Sequence, residues 1–218
     1  MISVSQALDQ VLRQRPLILE GLSEGIINLS SLARKIQPEV EEQLQREIKL
    51  GALIMALKRF EPGLTIYLSD KIKNVVGTIE DITVRSNLSS FTFQNSDNLS
   101  ELQAMLIKEI ATKKSVFYTI SQGVFETTII ASDTIRLKLQ HIFSDETLIS
   151  QLDNLSSITL RLPKENKEVP GLYHFIFSRI VWEGINVHEV ISTTHEFSVV
   201  VKSDDIERAF SALRNLRN

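Results

Sequence analysis

The first 60 residues show the hydrophobic periodicity of α-helices. After Ser3, a residue type that often caps helix N-termini, apolar side chains recur at helical spacing: Val4, Ala7, Leu8, Val11 and Leu12. The same pattern, together with the prolines, predicts three further helices: over residues 17–22, from 28 or 30 to about 38, and from about 39 to 60 with an interruption near 49–51. We therefore expect a helical module over residues 1–63.

From residue 64 onward, strand and helix signals alternate. A strand is predicted at 64–68 and a short helix with apolar positions 72, 75, 76 and 79 follows it. Ser86 and Asn87 separate the strands Ile82–Arg85 and Ser89–Gln94, which is the spacing of a tight hairpin. The next predicted elements are a helix over 99–110, strands over 116–122 and 124–131, and a helix from 132 or 133 through 139. Residues 64–150 thus have a β-α-β-β-α order.

The last part of the chain repeats this order. Its predicted elements are a strand over 157–162, a helix over 170–182, strands over 185–192 and 196–202, and a helix over 204–216. A β-α-β-β-α string favours helices on one face of an antiparallel sheet. We expect an α+β fold in which a helical module is followed by two similar units, 64–150 and 151–218, that share element order and not motifs.

Composition narrows the range of functions. Lys and Arg number 24 against 27 Asp and Glu, so no overall positive charge points to nucleic acid. The chain has no cysteine, which excludes disulfides and thiolate chemistry. The longest apolar run, Leu50–Leu57, is far shorter than the roughly 20 residues of a transmembrane helix, and the N-terminus lacks a secretory signal. We expect a cytoplasmic protein without a cofactor.

Residues 168–202 resemble the ACT family, most closely the regulatory domains of aspartokinases. The resemblance is carried by Pro170-Gly171 in the first turn of a helix, by Gly184-Ile-Asn-Val187, by Ile191-Ser-Thr-Thr194 and by the Val199–Val201 strand. It implies two ferredoxin-like βαββα(β) units, an amino-acid effector and a site shared across a homodimer. In the middle segment, residues 95–98 replace the Pro-Gly pair, so a ligand site there is not expected.

The Pro-Gly pair has a chemical meaning of its own. A helix that begins at this point leaves free N–H groups and a positive dipole end, where a ligand carboxylate can bind. The amide of Asn186 can both donate and accept hydrogen bonds, as an α-amino acid requires. The resemblance to the ACT family implies a ligand site formed by the following candidate residues: Glu168, Val169, Pro170, Gly171, Leu172, Asn186, Val187 and Thr193. The alternative interpretation is that Pro170 and Gly171 only form the turn and Asn186 only caps it.

The N-terminal module resembles helix-turn-helix and winged-helix modules through residues 25–36 and 51–59. The candidate DNA-binding residues are Arg34, Lys35, Lys58 and Arg59. Acidic residues match the basic ones of this module one for one, so a helical module for dimerisation or protein contact is the alternative.

These patterns favour a non-catalytic regulatory protein that senses a small ligand. None of the four histidines lies in a metal-binding motif, and no set of residues suggests an active site. The leading hypothesis is a homo-oligomer in which an effector amino acid controls the N-terminal module, and DNA binding is one candidate for its output. The alternatives are a free-standing regulatory subunit of a biosynthetic enzyme such as an aspartokinase, and a small enzyme with an unrecognised site.

Overall fold

A computed structural model describes residues 2–60, 71–79, 81–113 and 115–217. The chain forms two compact units, Met1–Lys73 and Asn74–Asn218. The strand predicted at 64–68 lies outside the described residues. Among the residues described, no helix is long and apolar enough to cross a membrane.

Over residues 2–60, the described part of the N-terminal unit contains four α-helices. They are α1 (Val4–Arg13), α2 (Pro16–Ser23), α3 (Leu29–Leu44) and α4 (Leu50–Lys58). Ser3 caps α1 as predicted, because its hydroxyl accepts a hydrogen bond from the Gln6 N–H at 3.2 Å. The helical periodicity is confirmed, since Ala7, Leu8, Val11 and Leu12 are all buried in one core with apolar residues of α3 and α4.

The predicted end of the third helix near Pro38 is wrong. Helix α3 continues through Pro38 to Leu44. Val40 and Leu44 extend its apolar face and are 0% and 7% exposed, so their burial offsets the one helical hydrogen bond that a proline removes. The chain then turns at Gln45, which has a φ of 52°, and α4 begins at Leu50.

Beyond residue 70, the described residues form five α-helices and six strands. In chain order they are α5 (71–77), β1 (Ile82–Gln94), α6 (Leu99–Ile110), β2 (Tyr118–Gln122), β3 (Glu126–Ser132), α7 (Arg136–Ile142), β4 (Leu148–Arg161), α8 (Leu172–Trp182), β5 (Glu189–Ser192), β6 (Glu196–Lys202) and α9 (Ile206–Arg214). The predicted helix over 99–110 and the strand over 196–202 are confirmed. The strand predicted from 185 is shorter, because β5 begins only at Glu189.

All six strands form one antiparallel sheet in the order β2-β3-β1-β4-β6-β5. The hairpin predicted at Ser86 and Asn87 is wrong, because β1 runs continuously through both residues and pairs with β4. Asn87 has a φ of 59° and Asn154 in β4 has a φ of 56°. Each asparagine lies at a shift in the β1–β4 register, so the left-handed conformation forms a bulge instead of a turn.

The two long central strands, β1 and β4, pair with each other, and each also pairs with a strand of its own half. β1 pairs with β3 through residues 88–94, and β4 pairs with β6 through residues 155–161. β1, the first strand of one half, therefore lies between β3 and β4. Likewise β4, the first strand of the other half, lies between β1 and β6. The domain boundary predicted between residues 150 and 151 falls inside β4.

The two halves also share a sequence motif, so the prediction that they share only their element order is wrong. Asn-Leu-Ser-Ser-x-Thr occurs at residues 87–92 and again at 154–159. Its members make equivalent hydrogen bonds, because Thr92 contacts Thr128 at 3.0 Å and Thr159 contacts Ser198 at 2.7 Å between their hydroxyl oxygens. The sheet thus has internal pseudo-symmetry around the two bulges.

Candidate functional site

The segment that connects β4 to α8 is shaped by two residues. Gly171 is the N-cap of α8 and has a φ of 84°, a conformation that strains other residues. It was expected in the first helical turn and instead precedes the helix. Asn166 lies in a short 3-10 helix, Lys164–Glu168, and is only 5% exposed.

The Asn166 side chain holds this connection in place. Its Nδ2 donates hydrogen bonds to the carbonyl oxygens of Pro163 at 2.6 Å and Thr194 at 3.0 Å. Thr194 belongs to the turn between β5 and β6, so the amide ties two loops together. A second link is the 2.9 Å contact between the hydroxyls of Tyr173 and Ser192. The Tyr173 ring also stacks on Phe197 of β6, with centroids 4.6 Å apart.

A cavity of about 510 Å³ lies at the N-terminus of α8, and we call it the α8 cavity. It is lined by Asn166, Lys167, Val169, Gly171, Leu172, Tyr173 and His174. Among the described residues, no hydrogen-bond acceptor is found for the backbone N–H groups of Tyr173 and His174. The Lys167 ammonium adds positive charge. The α8 cavity therefore provides donors and positive potential that suit an anionic group such as a carboxylate.

The structure brings together one part of the predicted ligand site. Val169, Gly171 and Leu172 line the α8 cavity, and the exposed residues Glu168 and Pro170 are in the same connection. Asn186 and Val187 follow the other end of α8, a helix of 11 residues and thus roughly 16 Å long. The two groups are therefore apart within one chain. Thr193 lies in the β5–β6 turn and lines a different cavity.

Sequence reasoning missed Asn166, Lys167 and His174 as lining residues. Asn166 and Lys167 belong to the polar run 164–168, which has the composition of an exposed loop. Only the tertiary contacts show that the Asn166 amide points inward. His174 had been considered only for metal or acid–base chemistry. In the described part of the chain, no three or more His, Cys, Asp and Glu side chains are grouped as metal ligands.

The candidate DNA-binding side chains lie on two helices. Arg34 and Lys35 are exposed on α3, and Lys58 and Arg59 are exposed at the C-terminal end of α4. By contrast, Arg13 and Arg15 pair with Asp9 and Glu39, each at 2.5 Å. The N-terminal half of α4 exposes Gly51 and Ala52, and Met55 is 48% exposed. This half of α4 therefore carries no exposed side chain that could hydrogen-bond to a base edge.

The fold is the mixed helix and antiparallel-sheet fold of aspartokinase regulatory domains, as the resemblance of residues 168–202 implied. No known protein family and no curated protein sequence matches the chain. Similarity is found among solved structures, at identities that establish the fold alone.

Three solved structures illustrate the likeness. The aspartokinase alpha and beta subunits match with a TM-score of 0.53 and 12% identity, covering 64% of this chain and 98% of that chain. The ligand-free regulatory subunit of aspartate kinase from Thermus thermophilus matches with a TM-score of 0.53 and 10% identity, covering 64% and 99%. Aspartate kinase from Clostridium acetobutylicum, described as an allosteric enzyme, matches with a TM-score of 0.54 and 16% identity, covering 65% of this chain and 35% of that enzyme.

Proposed function

We propose that this chain is a non-catalytic regulatory protein with two ACT-type units, and that it binds an amino-acid effector at the α8 cavity. The observation that carries the proposal is the pair of N–H groups at Tyr173 and His174, next to Lys167, for which the described residues offer no hydrogen-bond acceptor. These groups can hold the effector carboxylate. The fold supports the regulatory role, because the same fold makes up nearly all of a separate aspartate kinase regulatory subunit.

Among the described residues, no carboxylate lines the α8 cavity, so the effector's ammonium group has no oppositely charged partner there. A homodimer would supply polar groups from a second copy, and Asn186 and Val187 are our candidates. The β5 edge of the sheet is open in the described chain, which supports such pairing. Effector binding then acts by favouring one of two arrangements of the protein, typically by about 1–3 kcal/mol.

Effector binding can be tested with a change at His174, which lines the α8 cavity. His174→Glu places a negative charge where the carboxylate is proposed to bind, while a Glu in the first turn of a helix is favourable for stability. We expect one amino acid at about 100 times its dissociation constant to stabilise the wild type by roughly 2.7 kcal/mol. The Glu variant should lose the part of this thermal shift that comes from binding at the α8 cavity.

His174→Gln is the matched control, because it removes the imidazole without adding charge, and it should keep the shift. An equal ligand-induced shift in the Glu variant and the wild type would place the effector elsewhere. If no proteinogenic amino acid raises the melting temperature of the wild type, the proposal itself is wrong.

For the output of the regulator, we propose DNA binding through the exposed face of α3. Arg34 and Lys35 lie on this face together with Ser31. The alternative is that the chain is a regulatory subunit of an enzyme such as an aspartokinase. Two observations favour this alternative. This chain covers 98% of the similar chain from the aspartokinase alpha and beta subunits and 99% of the aspartate kinase regulatory subunit from Thermus thermophilus. In addition, the start of α4 exposes small and apolar residues, which suit a protein contact.

Salt dependence separates the two outputs. If DNA is bound, replacing Arg34, Lys35, Lys58 and Arg59 by Ala should weaken binding to duplex DNA. It should also lower the slope of log affinity against log salt by up to about 0.9 for each lost phosphate contact. Fluorescence anisotropy at about 50 and 200 mM salt measures both. Arg13→Ala is the control, because Asp9 already neutralises Arg13. Unchanged DNA affinity in the fourfold variant would rule out this surface.

A further inference from the structure

A second cavity lies at the end of β4, next to the turn between β5 and β6. Its volume is about 570 Å³, and its lining includes Asp81, Arg161, Thr193, His195 and Glu196. We call it the Arg161 cavity. A neighbouring cavity of about 360 Å³ shares Arg161 and His195 and adds Lys164. None of these residues except Thr193 was a candidate in the sequence.

The charged side chains of the Arg161 cavity have no ionic partners in the described chain. Neither Arg161 nor Asp81 nor Glu196 takes part in an ion pair with another described residue. The backbones of Arg161 and Asp81 are nevertheless held side by side, because the Arg161 N–H donates to the Asp81 carbonyl oxygen at 3.1 Å. Arg161 and Glu196 are partners in the β4–β6 register. A guanidinium and two carboxylates thus surround one open space without pairing with each other.

The internal repeat shows that the fold does not require these charges. In the first half of the sheet, the Gln94 N–H donates to the Thr147 carbonyl oxygen at 3.0 Å, as the Arg161 N–H does to Asp81. Gln94 pairs with Glu126 as Arg161 pairs with Glu196. By this correspondence, position 161 is equivalent to 94, position 81 to 147 and position 195 to 125. The second half has Arg161, Asp81 and His195 where the first half has Gln94, Thr147 and Phe125. The second half therefore has one positive and one negative side chain, Arg161 and Asp81, at the two positions where the first half has the uncharged Gln94 and Thr147.

From this arrangement we infer that the Arg161 cavity binds a free α-amino acid. The guanidinium of Arg161 matches a carboxylate in its two-pronged donor geometry. Asp81 and Glu196 supply acceptors and negative charge for the α-ammonium group, and the Thr193 hydroxyl adds a polar contact. This site is separate from the effector site proposed at the α8 cavity, because the two share no lining residue, and either can exist without the other.

The two sites are neighbours through the β5–β6 turn. Asn166, which lines the α8 cavity, donates to the carbonyl oxygen of Thr194, and Thr194 itself lines the Arg161 cavity. A ligand that moves this turn at one cavity would therefore shift lining residues of the other cavity through that hydrogen bond.

Two histidines make the sites distinguishable by nuclear magnetic resonance. His195 lines the Arg161 cavity and His174 lines the α8 cavity, whereas His141 is in α7 of the other half. We would titrate the intact chain with each proteinogenic amino acid and follow the imidazole signals of all four histidines, with His188, which lines neither cavity, as a further reference. Acetate and methylammonium serve as probes that carry one charge each. An amino acid should shift the His195 signal, and neither single-charge probe should do so at the same concentration.

Arg161→Gln is the matched variant, because Gln occupies the equivalent position 94. It should raise the dissociation constant measured at His195 by roughly 10- to 100-fold, as expected for a lost charged hydrogen bond. Lys202→Gln, an equal charge change at an exposed position outside the cavity, should leave it unchanged. A shift at His174 alone would support the α8 site and refute this one. No shift at His195, or an unchanged dissociation constant in Arg161→Gln, would also refute it.

Discussion

Replacing Leu88 or Leu155 by Ala should each lower the free energy of unfolding by about 2–5 kcal/mol, and each should destabilise both halves of the sheet. The two leucines follow the bulge residues Asn87 and Asn154 and are 0% and 1% exposed. They share a small core with Ile130 and Val200, which come from opposite halves. Removing either side chain leaves a cavity between the halves, so the damage should not stay within one of them.

Hydrogen exchange followed by mass spectrometry measures this spread. In Leu88→Ala, amide exchange should accelerate in β3 and also in β6, although Leu88 itself pairs with β3 and β4. Leu137→Ala is the control, because Leu137 is 77% exposed on α7 and should change stability by less than about 0.5 kcal/mol. Faster exchange in β3 with unchanged exchange in β6 would mean that the halves are independent domains, in agreement with the boundary predicted between residues 150 and 151.

The second large effect is expected for Asn166→Asp. The substitution keeps the shape of the side chain but replaces the donating amide by a carboxylate that faces the carbonyl oxygens of Pro163 and Thr194. Because the site is buried, the loss of the donors and the repulsion should together cost about 3 kcal/mol at pH 7. Urea unfolding measures this cost, and Asn186→Asp, at an exposed asparagine beyond the other end of α8, should cost little.

The effect of Asn166→Asp should also depend on pH. Burial near two carbonyl oxygens raises the pKa of the introduced carboxyl above its value in the unfolded chain. The folded form then binds a proton more readily than the unfolded form, so the stability deficit is present above the raised pKa and shrinks as the pH falls through it. A deficit that stays constant between pH 7 and pH 5 would show that the side chain leaves its buried position.

The local hydrophobic pattern predicted elements correctly where one face of the element is buried by its nearest neighbours. The period of α1 follows from five apolar residues, and the structure buries four of them. The helix at Leu99–Ile110 was predicted with its bounds for the same reason. Pro38 misled the prediction, because local chemistry disfavours proline inside a helix while the burial of Val40 and Leu44 favours continuing it.

At the candidate site, the Pro-Gly signal located the start of α8 to within two residues. It did so because backbone conformation at a helix start is a local property. The inward direction of Asn166 and the charges around Arg161 were not predictable in this way. Their contacts join residues such as Asn166 and Thr194, which are far apart in the chain.

The sequence by itself determined the helical N-terminal module, the β-α-β-β-α order of the rest and the resemblance that pointed to a regulatory fold, because each depends on short-range periodicity or on a contiguous motif. Only the tertiary structure decided that Asn87 forms a bulge and not a hairpin turn. The φ of 59° at Asn87 suits either outcome, and the choice is made by β4, which pairs with β1 on both sides of the bulge. The same long-range pairing joins the two repeats into one sheet and brings Asp81 beside Arg161, since backbone hydrogen bonds between strands are satisfied by partners distant in sequence.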